Sequence, residues 1–176
     1  MKLILVRHGQ TIYNVEKLIN DDPSKIIKLS SLGLEQVKEV AEKLKNENID
    51  LIFVSELNRT KDTSKIINKS HNAPVIIDRR LNDRKTGFEG LYVSKFHEYV
   101  KKDMFNIKPP NGESFQEEKE RIRSFLEELK NKRGKTVLIV GHKEPLQLLI
   151  GLIKKESDEK LYSRDIKNAQ LFEIDF

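Results

Sequence analysis

Two rhythms of apolar residues alternate along the chain. Short continuous runs at residues 3–6, 49–54, 75–77 and 137–140 have the length and β-branched character of buried strands. Between them apolar positions recur every three or four residues. Leu34, Val37, Val40, Ala41 and Leu44 share one helical face, with Ser30 and Ser31 placed to cap its start. Ser114 and Glu117 have capping-box spacing ahead of a longer helix whose stripe is Phe115, Ile122, Phe125, Leu126 and Leu129. Pro145 suits the first turn of a helix through residues 146–153, apolar on every side and therefore expected to be buried. Residues 59–69 carry a weaker helical pattern, and a short helix is expected at 92–101. The closing stretch alternates Phe172, Ile174 and Phe176 with Glu173 and Asp175, as a half-exposed edge strand does. Strands alternating with helices predict a three-layer α/β/α sandwich around a mostly parallel sheet, with one edge strand free to run antiparallel. The connections at 14–29 and 79–112 are irregular and long for a compact domain, and such loops carry function.

Length and composition narrow this picture. The 176 residues are expected to form one domain over 1–176, large enough to bury a core. The net charge of +5 comes from lysines interleaved with glutamates at 35–45 and 117–132, which reads as a solvated surface and predicts no nucleic-acid partner. No apolar run approaches the span of a bilayer, so no membrane partner is expected. The apolar start is short, ends in Arg-His and lacks a small-residue cleavage site; it reads as a first strand, not a signal peptide. The absence of cysteine removes disulfides, thiolate zinc sites and cysteine nucleophiles, and points to a reducing cytoplasm. Composition does not fix the oligomeric state.

Chemistry gathers where the strands end. The first run stops at Arg7-His8-Gly9, the second at Ser55 with Arg59 shortly after, and the 137–140 run at Gly141-His142. If these strands are parallel neighbours, two histidines and two arginines meet at the edge of the sheet where open α/β folds bind ligands. Such a cluster would repel itself unless an anion sat within it, and forked guanidiniums suit phosphate oxygens. Gly9 is expected to turn the backbone so that turn amides face the same anion. Lone histidines are more often packing or capping residues, the reading given to His71 and His97.

With these residues in place the chain resembles the histidine phosphatase superfamily, in its phosphoglycerate-mutase-like branch. Leu5-Val6-Arg7-His8-Gly9-Gln10-Thr11 with Asn14 matches its opening signature. Further matches follow in order: Leu29-Ser30 with Gly33 and Gln36; Ser55, Leu57, Arg59-Thr60 and Thr63; Gly112-Glu113-Ser114 with Arg121; Gly141-His142; and Asn168-Ala169. The resemblance implies a phosphomonoester hydrolase. His8 would be the nucleophile, forming a phosphohistidine. Arg7, Arg59 and His142 would bind the phosphoryl oxygens, with His142 also part of the catalytic set, and Asn14 would add a neutral donor. The general acid and base falls on Asp83, where the family places a glutamate, with Glu89 in reserve because the loop 87–90 is one residue short. Thr11, Arg84 and Lys143 are further candidates. Arg79, Arg80 and Arg84 read first as solvated charges that secondarily favour an acidic substrate. Lys143-Glu144 replace small residues of the family, and Lys143 is the one expected to shape substrate choice.

The substrate is expected to be a small phosphomonoester, and the resemblance implies catalysis without metal. No HExxH, P-loop or GxGxxG element is present. A phosphoglycerate mutase, primed by 2,3-bisphosphoglycerate, is the alternative; it is disfavoured because residues 90–112 lack paired arginines that would grip a substrate carboxylate. An inactive phospholigand-binding protein is the second alternative.

Overall fold

A computed structural model of the chain describes every residue except 133. Its sheet runs in the order β3-β2-β4-β1-β5, formed by β1 (Lys2–Arg7), β2 (Leu51–Val54), β3 (Val75–Ile77), β4 (Thr136–Gly141) and β5 (Leu171–Asp175). The first four strands are parallel to their neighbours, while β5 pairs antiparallel with β1. The helices are α1 (Ile12–Glu16), α2 (Ser31–Leu44), α3 (Asn58–Ile67), α4 (Val93–Val100), α5 (Phe115–Leu129), α6 (Lys143–Lys154) and α7 (Asp158–Tyr162). Two of them, α1 and α7, fall where no helix is expected from the pattern. Each is a five-residue turn held by its cap, Thr11 and Ser157 respectively, rather than by an apolar stripe.

The period of two in each strand divides the core into two layers. Leu3, Leu5, Leu51, Phe53, Val137 and Ile139 point to one face, where they meet Phe115, Ile122, Phe125 and Leu129 of α5 and the buried body of α6. Ile4, Val6, Ile52, Val54, Leu138 and Val140 point to the other, against Val37, Val40 and Leu44 of α2 and Ile67 of α3. A smaller cluster of Ile19, Phe96 and Val100 seats α4 beside the sheet's carboxyl edge. The sequence pattern marks one edge strand, but the sheet has two. All three side chains of β3 are exposed, and among the described residues it pairs only with β2.

What matters for the site is the register. Arg7 at the end of β1 lies opposite Gly141 at the end of β4, and Val54 at the end of β2 lies opposite Val140. The three chemistry-bearing strand ends are therefore adjacent, and the residues following them emerge side by side.

Candidate active site

The loop after β1 is clamped from below by α2. Ser30 caps that helix through Gly33 N–H, and its own N–H donates to the carbonyl of Gln10 at 2.8 Å. A Cβ on Gly33 would stand 2.0 Å from that same carbonyl oxygen, and one on Gly9 would stand 2.6 Å from Val37 Cγ2. Both glycines are thus required by close approach; neither has a positive φ. The expectation that turn amides face an anion is corrected here. His8 N–H donates to the Gly141 carbonyl, Gly9 N–H to Thr63 Oγ1, Gln10 N–H to Gln36 Oε1 and Thr11 N–H to Asn14 Oδ1. In this turn side chains, not backbone amides, are left to meet an anion.

His8 is buried, and its Nδ1 lies 2.7 Å from the Gly9 carbonyl oxygen, a contact that requires N–H at Nδ1. Nε2 therefore carries the lone pair, and Arg59 Nε donates to it at 3.0 Å. Burial first, then the charges of Arg59 and Arg7, hold the His8 imidazolium well below the usual histidine range, so the ring is neutral. Arg59, on the first turn of α3, also donates to Asn20 Oδ1 at 2.5 Å and pairs with Asp83 Oδ2 at 3.0 Å. Arg7 lines the same cavity and is anchored by a 2.6 Å bond from Nη1 to the Ile166 carbonyl.

Asn14 is oriented by its oxygen. Oδ1 accepts from Thr11 N–H and from Asn168 Nδ2, which leaves its own amide NH2 as the group able to meet a ligand. Thr11 is the reciprocal partner in that capping box; it lines the cavity while its hydroxyl accepts from Asn14 N–H.

Asp83 is positioned by the Gly112-Glu113-Ser114 and Arg121 matches. Arg121 Nη1 donates to the carbonyls of Arg80 and Asn82, and its other nitrogens pair with Glu113. The Glu113 backbone in turn bonds Lys85 at 2.7 Å. Burial is the main influence on Asp83 and raises its carboxyl, against the opposing pull of Arg59 and Arg7. Its side chain keeps 34% of its surface open on the cavity.

His142 is fully buried and sits behind this front. Its Nε2 is 2.8 Å from Ser55 Oγ, its ring centre 5.3 Å from that of His8, and its Nδ1, 3.9 Å from Asp83 Oδ2, has no hydrogen-bond partner. Burial and the charge of Arg59 keep it neutral as well.

Other candidates fall elsewhere. Glu89 lies outside the cavity with Arg7 and His8; its carboxylate accepts from the N–H groups of Asp21 and Asp22 and from Asn20 Nδ2. Lys143 is on the cavity rim, 3.4 Å from Asp165. Arg84 is no solvated charge: its side chain is 2% exposed and pairs with Glu144 at 3.0 Å. Arg80 is tied to Asp78 and Glu128, away from the cavity, and Arg79 is exposed. His97 is not a packing residue either, since it stands exposed on α4 and lines the cavity, whereas His71 follows a 3₁₀ turn whose last N–H it supplies.

Sequence reasoning missed Asn20, Glu144, Gln147 and Tyr162, all on the cavity wall. It also missed Asp21, whose carboxylate accepts from the N–H and hydroxyl of Thr86 and closes the 14–29 loop over the site.

The arrangement gathers a neutral imidazole, two guanidiniums, an amide and a carboxyl on one cavity. The model of the histidine phosphatase superfamily, branch 1, matches residues 3–176. Phosphoserine phosphatase 1 of Hydrogenobacter thermophilus is 29% identical over 96% of this chain and 83% of its own. A 2,3-bisphosphoglycerate-dependent phosphoglycerate mutase of Parvibaculum lavamentivorans is 27% identical over 98% and 90%. The crystal structure of the alpha-ribazole phosphatase from Shigella flexneri superposes with a TM-score of 0.91 at 27% identity, covering 99% of this chain and 90% of that one. The chain belongs to the histidine phosphatase superfamily, branch 1.

Proposed function

We propose that the protein is a phosphomonoester hydrolase working through a phosphohistidine on His8. The observation that carries this is the His8 ring itself: Nδ1 is engaged by a backbone carbonyl, so Nε2 is a neutral, oriented nucleophile beside two arginines.

Phosphate oxygens entering between Arg7 and Arg59 compete with Asp83 for the Arg59 guanidinium. That frees the Asp83 carboxyl and places an anion beside it, which raises it further and favours the protonated form. The Nε2 lone pair then forms a bond to phosphorus as the bond to the leaving oxygen breaks, and the Asp83 proton passes to that oxygen. Arg7, Arg59 and the Asn14 amide bind the three equatorial oxygens. His142 lies behind the cavity wall with its unpartnered Nδ1 3.9 Å from Asp83 Oδ2, where it would act on the phosphoryl site after a small shift of either group. In the second half, the Asp83 carboxylate takes a proton from water, the water oxygen bonds to phosphorus, and the bond to Nε2 breaks. Every group this sequence needs is a side chain already present, so no metal is invoked.

The hydrolase reading is preferred to the mutase. The loops between Gly90 and Gly112 contain no arginine, and the cavity beyond His8 carries carboxylates. Phosphate release from p-nitrophenyl phosphate and natural phosphomonoesters in EDTA, with alkaline detergent quenching to trap the phosphoprotein, tests the reading. EDTA-resistant turnover with an acid-labile, alkali-stable phosphoprotein is expected. Interconversion of 2- and 3-phosphoglycerate far faster than phosphate release would establish the mutase instead.

A further inference from the structure

The far end of the cavity carries charges that phosphoryl transfer does not use. Arg84 and Glu144 both line it, with Arg84 Nη2 3.0 Å from Glu144 Oε1. The rest of the guanidinium is unmatched: Nε and Nη1 are buried without a hydrogen-bond partner. Glu118, with no exposed surface, stands 3.9 Å from Nε and 3.7 Å from Arg121 Nη2, and neither of its oxygens accepts a hydrogen bond. The face of Phe96, 4.9 Å from the guanidinium carbon, fixes the plane in which that fork can be used. Burying a charge pair this incompletely is costly, and native structures rarely leave such groups unmet.

A ligand that completes the pair must offer an anion to Arg84 and a cation to Glu144 at the same time. An α-amino acid does so with groups on a single carbon. Its carboxylate adds acceptors to the guanidinium fork while its ammonium replaces the guanidinium as partner of Glu144, so the exchange is neutral in charge. A leaving group bearing only a carboxylate would bring a second anion against Glu144. One bearing only an ammonium would leave Arg84 unmatched. The position is short-range too: Arg84 follows Asp83 in the chain, and Glu144 is two residues past His142. The loops that hold the phosphoryl machinery therefore also present this pair, which suits a leaving alcohol of a few carbons.

Resting on the phosphatase reading above, we infer that Arg84 and Glu144 recognise the α-carboxylate and α-ammonium of an O-phosphoamino acid, whose hydroxyamino acid is the leaving alcohol. Burial pushes the Glu144 carboxyl up, against the pull of Arg84; the facing groups Asp83, Glu113 and Arg121 add smaller effects. An ammonium partner would draw it back to the ionised form.

The test compares kcat/KM for O-phosphoserine, racemic 3-phosphoglycerate, which has a hydroxyl where the former has an ammonium, and phosphoethanolamine, which lacks the carboxylate. Wild type is expected to favour O-phosphoserine over each analogue by about tenfold or more. In Glu144→Gln the ratio of O-phosphoserine to 3-phosphoglycerate should collapse to near one, and a ratio taken within one preparation cancels any loss of folded protein. If wild type turns over p-nitrophenyl phosphate through His8 but shows no preference, or Glu144→Gln keeps it, the inference is wrong and the hydrolase reading stands. If no phosphoester is hydrolysed, the hydrolase reading fails. The same ratio is then read from calorimetric Kd values, and equal affinities there refute the recognition site as well.

Discussion

The two ends of the cavity differ in how completely their polar groups are matched. Around His8 the backbone donors are all spent within the protein, and Arg59 alone makes three contacts, to His8, Asn20 and Asp83. Around Arg84 the guanidinium lies between the partly buried Glu144 and the fully buried Glu118, which also faces Arg121, with donors and acceptors left over. The first end is built to present one geometry to any phosphoryl group. The second is incomplete until a particular leaving group arrives, which is how a site comes to discriminate. Changes at the phosphate end should therefore scale all substrates alike, and changes at the other end should alter ratios between them.

The largest effect belongs to His8. His8→Ala is expected to lower kcat by about 10⁴-fold or more on every substrate and to abolish the trapped phosphoprotein. Retention of that phosphoprotein would move the nucleophile elsewhere.

Next comes Asp83, where the two ends meet. Asp83→Asn should cost about 10²- to 10⁴-fold with alkyl phosphates and far less with p-nitrophenyl phosphate, whose phenolate leaves without a proton. Asp83 is raised and must be protonated for the first step, so kcat/KM falls as pH rises through that raised value. His8 is depressed and must be neutral, so activity persists below the ordinary histidine range and fails only once its lowered value is passed. Activity is therefore bounded above by the raised Asp83 value and below by the lowered His8 value. A pH series on Asp83→Asn should lose the alkaline limb, and an unchanged limb would assign it to another group.

A smaller, global effect is expected from Gly33→Ala. Its Cβ would collide with the Gln10 carbonyl, costing about 1–3 kcal/mol in urea denaturation and lowering all substrates in parallel. Smallest is Lys143→Ala on the rim, where a half-exposed ammonium near Asp165 should contribute about twofold to KM, diminishing with salt. A substrate-dependent change above tenfold would extend the discriminating end to the rim.

Much of the phosphate end was legible in the chain. Arg7-His8-Gly9, Arg59 and Gly141-His142 follow apolar runs, and register then brings runs of that kind together. The supporting matches were visible as motif, but their physical work was not: Gly33 and Gln36 brace the turn, and Arg121 holds the loop of Asp83 by its carbonyls. The discriminating end was harder. Glu118 sits three residues after Phe115 and four before Ile122, on the buried stripe of α5, and that spacing was a readable sign of a buried carboxylate. Arg84, Asn20 and Asp21 lie in irregular segments, where burial depends on how distant loops cross and no periodicity records it.

The engagement of the amides of residues 8–11 by Gly141, Thr63, Gln36 and Asn14 also sets the cost of binding. A turn whose donors are already committed has little conformational entropy left to surrender when an anion arrives. In deuterium oxide these amides should exchange slowly from the start and hardly change with vanadate bound, while protection gained on binding should concentrate in the 14–29 and 79–112 loops, where ordering remains to be done.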